Sequence, residues 1–143
     1  MKIALASDHG GFALKEQIKE HLKKREIELL DLGTNSEESV DYPLFGRICG
    51  EAVASEKADL GIVCCGTGIG ISIAANKVHG IRCAIATNEY MAEMTKKHND
   101  ANMLALGGRV LNPEEAIKIV DTWLDTEFEG GRHQRRVDML NEM

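Results

Sequence analysis

No run of apolar residues in this sequence approaches the roughly 18 needed to cross a bilayer, and the opening stretch from Met1 to His9 turns polar too soon for a signal peptide. A cytoplasmic protein with no membrane partner is expected. The four cysteines, Cys49, Cys64, Cys65 and Cys83, have neither C-x-x-C spacing nor a His-rich pattern beside them. That speaks against a metal site and a disulfide framework and leaves reduced thiols. Basic excess is lacking too: a formal net charge of −6 offers no general basic face to displace the counterions of a nucleic acid. No nucleic-acid partner is expected, and any anionic ligand must be held by local basic groups. With no low-complexity tract, 143 residues at 43% hydrophobic content fit a single domain, 1–143, with a real core.

The most informative stretch is Gly61 to Lys77, where an apolar run ends in Cys65, passes through Gly66, Gly68 and Gly70, and resumes as a helix-like pattern. It reads as strand, loop, helix. Glycines let the backbone turn sharply and approach a ligand, and the N–H groups opening the helix would face an anion. A thiol at the lip of such a site should ionise more easily than an ordinary cysteine, which makes Cys65 a candidate base or nucleophile. The plain alternative is a small apolar residue ending a buried strand. Two nucleotide motifs fail here. GxxxxGK[ST] lacks its Lys, and GxGxxG meets Ile71 where its third glycine should stand.

Along the chain, Lys2–Ser7 is a buried-strand pattern broken by Asp8-His9-Gly10-Gly11. Leu14, Ile18 and Leu22 then mark an amphipathic helix, with Lys15, Glu16, Lys19, Glu20 and Lys23 on its polar side. Strands are predicted at 28–32, 60–64, 82–86 and 103–106. Helices are predicted at about 43–55, 70–77, 88–97, and from Asn112-Pro113-Glu114-Glu115 onward, the last with Ile117, Val120 and Leu124 as its buried stripe. His21 and His79 read as surface residues. The fold class is α/β: right-handed βαβ units building a five-stranded parallel sheet with helices on both faces, a three-layer sandwich. Ligands of such sheets bind at the carboxyl ends of the strands. The unusual polar loops, Asp8-His9, Cys65 to Gly70, Asn88 and Arg109, are all assigned there, with His98-Asn99-Asp100 just ahead of strand five.

Near the end, Arg132, Arg135 and Arg136 gather positive charge. If that segment is helical, Arg132 and Arg136 share a face, and their forked donors suit a phosphate. A solvated basic tail is the alternative. Cys64 and Cys65, neighbours on one strand, point to opposite faces and are a poor redox pair.

Together, Asp8-His-Gly-Gly11, Asp41-Tyr-Pro43, Cys65-Gly-Thr-Gly-Ile-Gly-Ile-Ser-Ile-Ala-Ala-Asn-Lys77, Gly80-Ile-Arg82, His98-Asn-Asp100 and Gly130-Gly-Arg-His133 closely resemble the ribose-5-phosphate isomerase B family, which includes galactose-6-phosphate isomerase subunits. The resemblance runs nearly end to end. It implies a Rossmann-like homodimer, with a tetramer also open, whose active sites lie between subunits and whose C-terminal segment 128–143 packs at the interface. It implies interconversion of ribose 5-phosphate and ribulose 5-phosphate through a cis-enediol(ate), with no metal or organic cofactor. In the roles it implies, Cys65 moves the carbon-bound proton, Thr67 helps with hydroxyl protons, and the amides of Gly66, Thr67, Gly68, Ile69 and Gly70 hold the enediolate. His98 opens the furanose ring, Asp8 and Asn99 hold hydroxyls, and His9, Arg109, Arg132 and Arg136 bind phosphate. One branch of the family has a Glu base at the position of Ile71 and lacks the Cys, so here the task falls to Cys65. A six-carbon sugar phosphate and a non-catalytic sugar-phosphate sensor are the competing readings.

Overall fold

A computed structural model describes residues 1–143. The elements run β1 (Lys2–Ser7), α1 (Phe12–Lys24), β2 (Glu28–Asp31), α2 (Tyr42–Ala54), β3 (Leu60–Cys65), α3 (Ile69–Asn76), β4 (Cys83–Ile85), α4 (Glu89–Lys97), β5 (Met103–Gly107), α5 (Pro113–Leu124) and α6 (Arg132–Asn141). All strand pairs are parallel, in the order β2-β1-β3-β5-β4. Period-two alternation divides the core into two layers. Ile3, Leu5, Ile62, Cys64, Leu104 and Leu106 face one layer with α1, α4 and α5. Ala4, Ala6, Val63, Cys65, Met103 and Ala105 face the other with α2 and α3.

Handedness explains which helix lies where. Right-handed crossovers that step opposite ways along a sheet place their helices on opposite faces. The steps β1 to β2 and β4 to β5 run one way, through α1 and α4. The steps β2 to β3 and β3 to β4 run the other way, through α2 and α3. Small residues let the second layer close tightly: a Cβ at Gly46 of α2 would stand 2.8 Å from Ala74 and from the Ile71 carbonyl on α3. That contact fixes the helix that follows the Cys65 loop.

Helix starts follow their sequence signals. Asn88 accepts the Met91 amide at 2.8 Å, and Asn112 and Glu115 form a reciprocal capping box. Two expectations need correction. The buried stripe of α5 is Ala116, Ile119, Val120 and Trp123, whereas Ile117 and Leu124 are half-buried. Placing Trp123 in the stripe moves it by one residue, and its indole N–H is satisfied by the Ala101 carbonyl at 3.3 Å. Lys15 is not solvated but 1% exposed, held by Asp31 at 2.8 Å and Glu16 at 3.1 Å, with Lys19 also on Asp31 at 2.8 Å. Burial pushes the Asp31 carboxyl up, yet the two lysines and the Gly33 amide outweigh it and hold it at about 2. His79 is exposed as expected. His21 is half-buried, its ring nitrogen 2.8 Å from Asp121 of α5.

Candidate active site

Strand order reverses between β1 and β3, so their carboxyl ends flank the crevice where such sheets bind ligands. Asp8, His9 and the Cys65 loop emerge there, and Arg109 emerges from β5 alongside. Gly11 draws the chain after β1 onto β3, since a Cβ at position 11 would stand 2.3 Å from the Cys64 carbonyl carbon. Asp8 is buried, and its carboxylate accepts the Gly11 amide at 3.0 Å. Nδ1 of His9 accepts the Val40 amide at 3.1 Å, which leaves Nε2 to carry the ring proton. The Arg109 side chain runs past Gly66 and Gly10, 3.0 and 3.3 Å from where Cβ atoms would stand. No carboxylate pairs with it.

Gly68 adopts φ +82°, the left-handed conformation that turns the strand into α3, with Leu106 2.9 Å from its absent Cβ. The turn points the Gly68 amide at Cys65 Sγ, 3.1 Å away, while the Ile69 amide is taken by Thr67 Oγ1 at 3.2 Å. The amides of Gly66, Thr67, Gly70 and Ile71 have no acceptor within the chain. Cys65 therefore lies beside a cradle of open donors. Burial drives the other thiols far from reactivity, with Cys83 pushed up to about 12 and Cys49 and Cys64 higher still. All four are free.

The remaining candidates lie elsewhere. Each helix of a βαβ unit returns to the amino ends of the strands, so His98 and Asn99, which follow α4, stand at the opposite edge of the sheet from Cys65. The β5 residues between the two levels span about 13 Å. The assignment of 98–100 with the carboxyl-end loops is thus corrected: one chain does not bring His98 to Cys65. Helix α6 packs at this same amino end, through Arg82 on Asn141 at 2.6 Å and a His98–His133 ring stack with centroids 4.3 Å apart. Arg132 and Arg136 share a helical face, as the spacing predicts, and both are exposed without a carboxylate partner. A cavity of about 450 Å³ also lies here, lined by His79, Arg82, Asn99, Leu140 and Met143 among others.

Sequence reasoning passed over two neighbours. The Tyr42 ring lies 2.6 Å from where a Gly70 Cβ would stand, and Glu129 approaches both His98 and His133. The Asp41-Tyr-Pro43 motif and the four-residue spacing of Glu129 and His133 were the available signals. Burial, then the charges of His98 and Arg132, push His133 below the ordinary imidazole value. His98, His133 and Glu129 are also the one group of three His, Cys or acidic side chains close enough to share a metal ion. No helix is long and apolar enough to cross a membrane.

Known proteins match this arrangement from end to end. The ribose-5-phosphate isomerase B of Escherichia coli is 50% identical over 139 residues, covering 97% of this chain and 93% of that protein. The structure of the Clostridium thermocellum ribose-5-phosphate isomerase B superposes with a TM-score of 0.98 at 60% identity, covering 99% of this chain and 96% of the other. The Mycoplasma genitalium enzyme with bound ribulose-5-phosphate gives a TM-score of 0.94 at 44% identity, covering 99% and 94%. The profile described as Ribose/Galactose Isomerase matches residues 3–140. With its fold shared over nearly the whole length, this chain belongs to the ribose/galactose isomerase family.

Proposed function

We propose that this protein interconverts D-ribose 5-phosphate and D-ribulose 5-phosphate as a cofactor-free aldose–ketose isomerase, working as a homodimer whose sites are shared between two copies of the chain. The observation that carries the reading is Cys65 Sγ, which accepts the Gly68 amide at the rim of a loop with four unpaired amides. A base beside preorganised donors is what carbon-acid chemistry needs, because the donors meet charge where it develops on the enediolate. Support also comes from relatives named as ribose-5-phosphate isomerases and from one that holds ribulose-5-phosphate.

In the first step the ring oxygen takes a proton from His98 as the anomeric hydroxyl loses its own and the C1 carbonyl forms. The Cys65 thiolate then removes the C2 proton, giving a cis-enediolate held by the open amides of Gly66, Thr67 and Gly70 in the Gly66 to Gly70 loop. Return of that proton to C1, with transfer of the hydroxyl proton through Thr67, yields the ketose. Asp8 and Asn99 hold hydroxyls, and His9, Arg109, Arg132 and Arg136 hold the phosphate. Because His98 and the α6 arginines stand at the far edge of the sheet from Cys65, a second copy supplies them. Exposed Ile69 and Ile73 on α3, beside the loop, are apolar surface for that copy to cover, and segment 128–143 is its counterpart. Free thiols and a phosphorylated substrate suit the cytoplasm.

Isomerisation in deuterium oxide tests the base. The wild type should place deuterium at C1 of ribulose 5-phosphate, and Cys65→Ala should lower kcat by about 10²–10⁴-fold while still binding sugar phosphate. Normal turnover by Cys65→Ala would remove the assignment. The family description names galactose as well as ribose, so kcat/KM is compared for five- and six-carbon substrates. A preference for allose or galactose 6-phosphate would reassign the substrate. Binding with no isotope exchange at all would make the protein a sensor.

A further inference from the structure

Lys15 is a basic side chain that the mechanism leaves unused, yet it is 1% exposed at the start of α1. Lysine is almost never buried without a partner. The partner here is Asp31 at the end of β2, whose Oδ1 accepts Lys15 Nζ at 2.8 Å. The same oxygen accepts the Gly33 amide at 3.0 Å, while Lys19, 24% exposed, takes Oδ2 at 2.8 Å. Gly33 and Thr34 in turn clamp the last residue of β1. The Gly33 carbonyl accepts the Ser7 amide at 2.8 Å, and the Thr34 amide donates to the Ser7 carbonyl at 2.9 Å. The buried Ser7 hydroxyl makes no hydrogen bond, so the backbone alone holds this strand end, and Asp8 and His9 follow directly.

The loop that begins at Thr34 returns to the site at Val40, whose amide donates to His9 Nδ1 at 3.1 Å. From the other side, the Lys15 amide donates to the Gly11 carbonyl at 2.9 Å, and the Gly11 amide donates to the Asp8 carboxylate at 3.0 Å. Lys15 therefore reaches the Asp8 to Gly11 turn by its backbone and the loop after β2 by its side chain. We propose that Lys15 is a positioning residue for phosphate recognition: through Asp31 it fixes the loop whose Val40 amide orients the His9 ring, so that Nε2–H faces the phosphate. The proposal rests on the role given to His9 in the isomerase reading. Stability alone is a poor reason for this pair, because apolar replacement of both partners of a buried ion pair is often tolerated. Direction is what the pair adds. Lys15 and the Gly33 amide converge on one oxygen, so a shift of the loop strains two hydrogen bonds at once. A neutral imidazole has one donor and one acceptor, and with Nδ1 held by Val40 the donor has one place to be.

Lys15→Met in the full-length protein leaves Asp31 paired with Lys19, so no buried charge is stranded. Two-bond ¹⁵N–¹H spectra of the His9 ring are recorded at about pH 8, where an ordinary imidazole is neutral. The wild type should show one tautomer, Nδ1 bare and Nε2 protonated, and Lys15→Met a mixture of two. Kd for inorganic phosphate should rise about tenfold and KM for ribose 5-phosphate by the same factor, with kcat within about threefold of wild type. Lys19→Met, which frees only the other carboxylate oxygen, should move each of these by less than about twofold. An unchanged His9 spectrum, a loss confined to kcat, or an equal effect in Lys19→Met would overturn the proposal. If Lys15→Met does not fold, Lys15→Met/Asp31→Leu, which removes both charges together, is measured with the same expectations. Failure of both to fold would make the pair structural only and would also overturn it. A His9 ring that changes in Lys15→Met, in a protein that isomerises nothing, would refute the function and leave the positioning standing.

Discussion

Gly68 makes the Cys65 loop possible, and its two constraints are separable by mutation. Its φ of +82° disfavours any side chain, and Leu106 stands 2.9 Å from the Cβ position. Gly68→Ala is expected to destabilise the fold by about 1–3 kcal/mol in urea unfolding and to lower kcat further than that loss explains, since the amide aimed at Sγ turns away. Arg109 answers to a different measurement. Its guanidinium has no carboxylate partner, so Arg109→Lys should fold normally and raise KM for the sugar phosphate about tenfold, because a point charge cannot reproduce the fork. At this scale much was legible: alternating glycines after an apolar run pick out Cys65, and the polar residues following strand one pick out Asp8 and His9. Tyr42 was not, because what brings it to Gly70 is the packing of separate segments, and the approach of Glu129 to His98 likewise depends on its segment packing against the end of α4.

Elements were readable where the signal is local. The capping box at Asn112 and Glu115 is visible in four consecutive residues, and Asn112→Ala should cost about 1 kcal/mol in urea unfolding with no change in turnover. The stripe of α5 and the burial of Lys15 misled for one reason: each depends on what the helix packs against. Trp123 reaches the Ala101 carbonyl, and Lys15 meets Asp31 at the end of a different element. That pair makes α1 and β2 acid-sensitive together. The Asp31 carboxyl at about 2 lies below its ordinary 3.8, so its contribution is present above the ordinary value and is lost as pH falls toward 2. The magnitude is about 2 kcal/mol. The stability difference between wild type and Asp31→Asn, measured in urea at pH 7 and again near pH 2, should shrink by about that amount.

For the whole molecule, strand order was beyond local reading, because nothing in β4 or β5 alone says that the later strand lies next to β3. The placement of His98 was within reach, since a loop leading into a parallel strand must stand at its amino end. On the proposed mechanism, Cys65 and His98 at opposite ends of one sheet predict complementation. Cys65→Ala and His98→Ala, each nearly inactive alone, should recover about one quarter of wild-type activity when mixed equally, dissociated and reassembled, because half the dimers are mixed and each has one intact site. No recovery after verified exchange would mean that each chain works alone. The opposed edges also make the site a ruler. In the proposed homodimer, the span from Cys65 of one copy to the α6 arginines of the other is set only by how far one copy stands from the other. Lengthening or shortening the sugar that fits is then a matter of shimming the joint, and substitutions that touch no substrate, such as those at Ile69 or Ile73, become the adjusting screws.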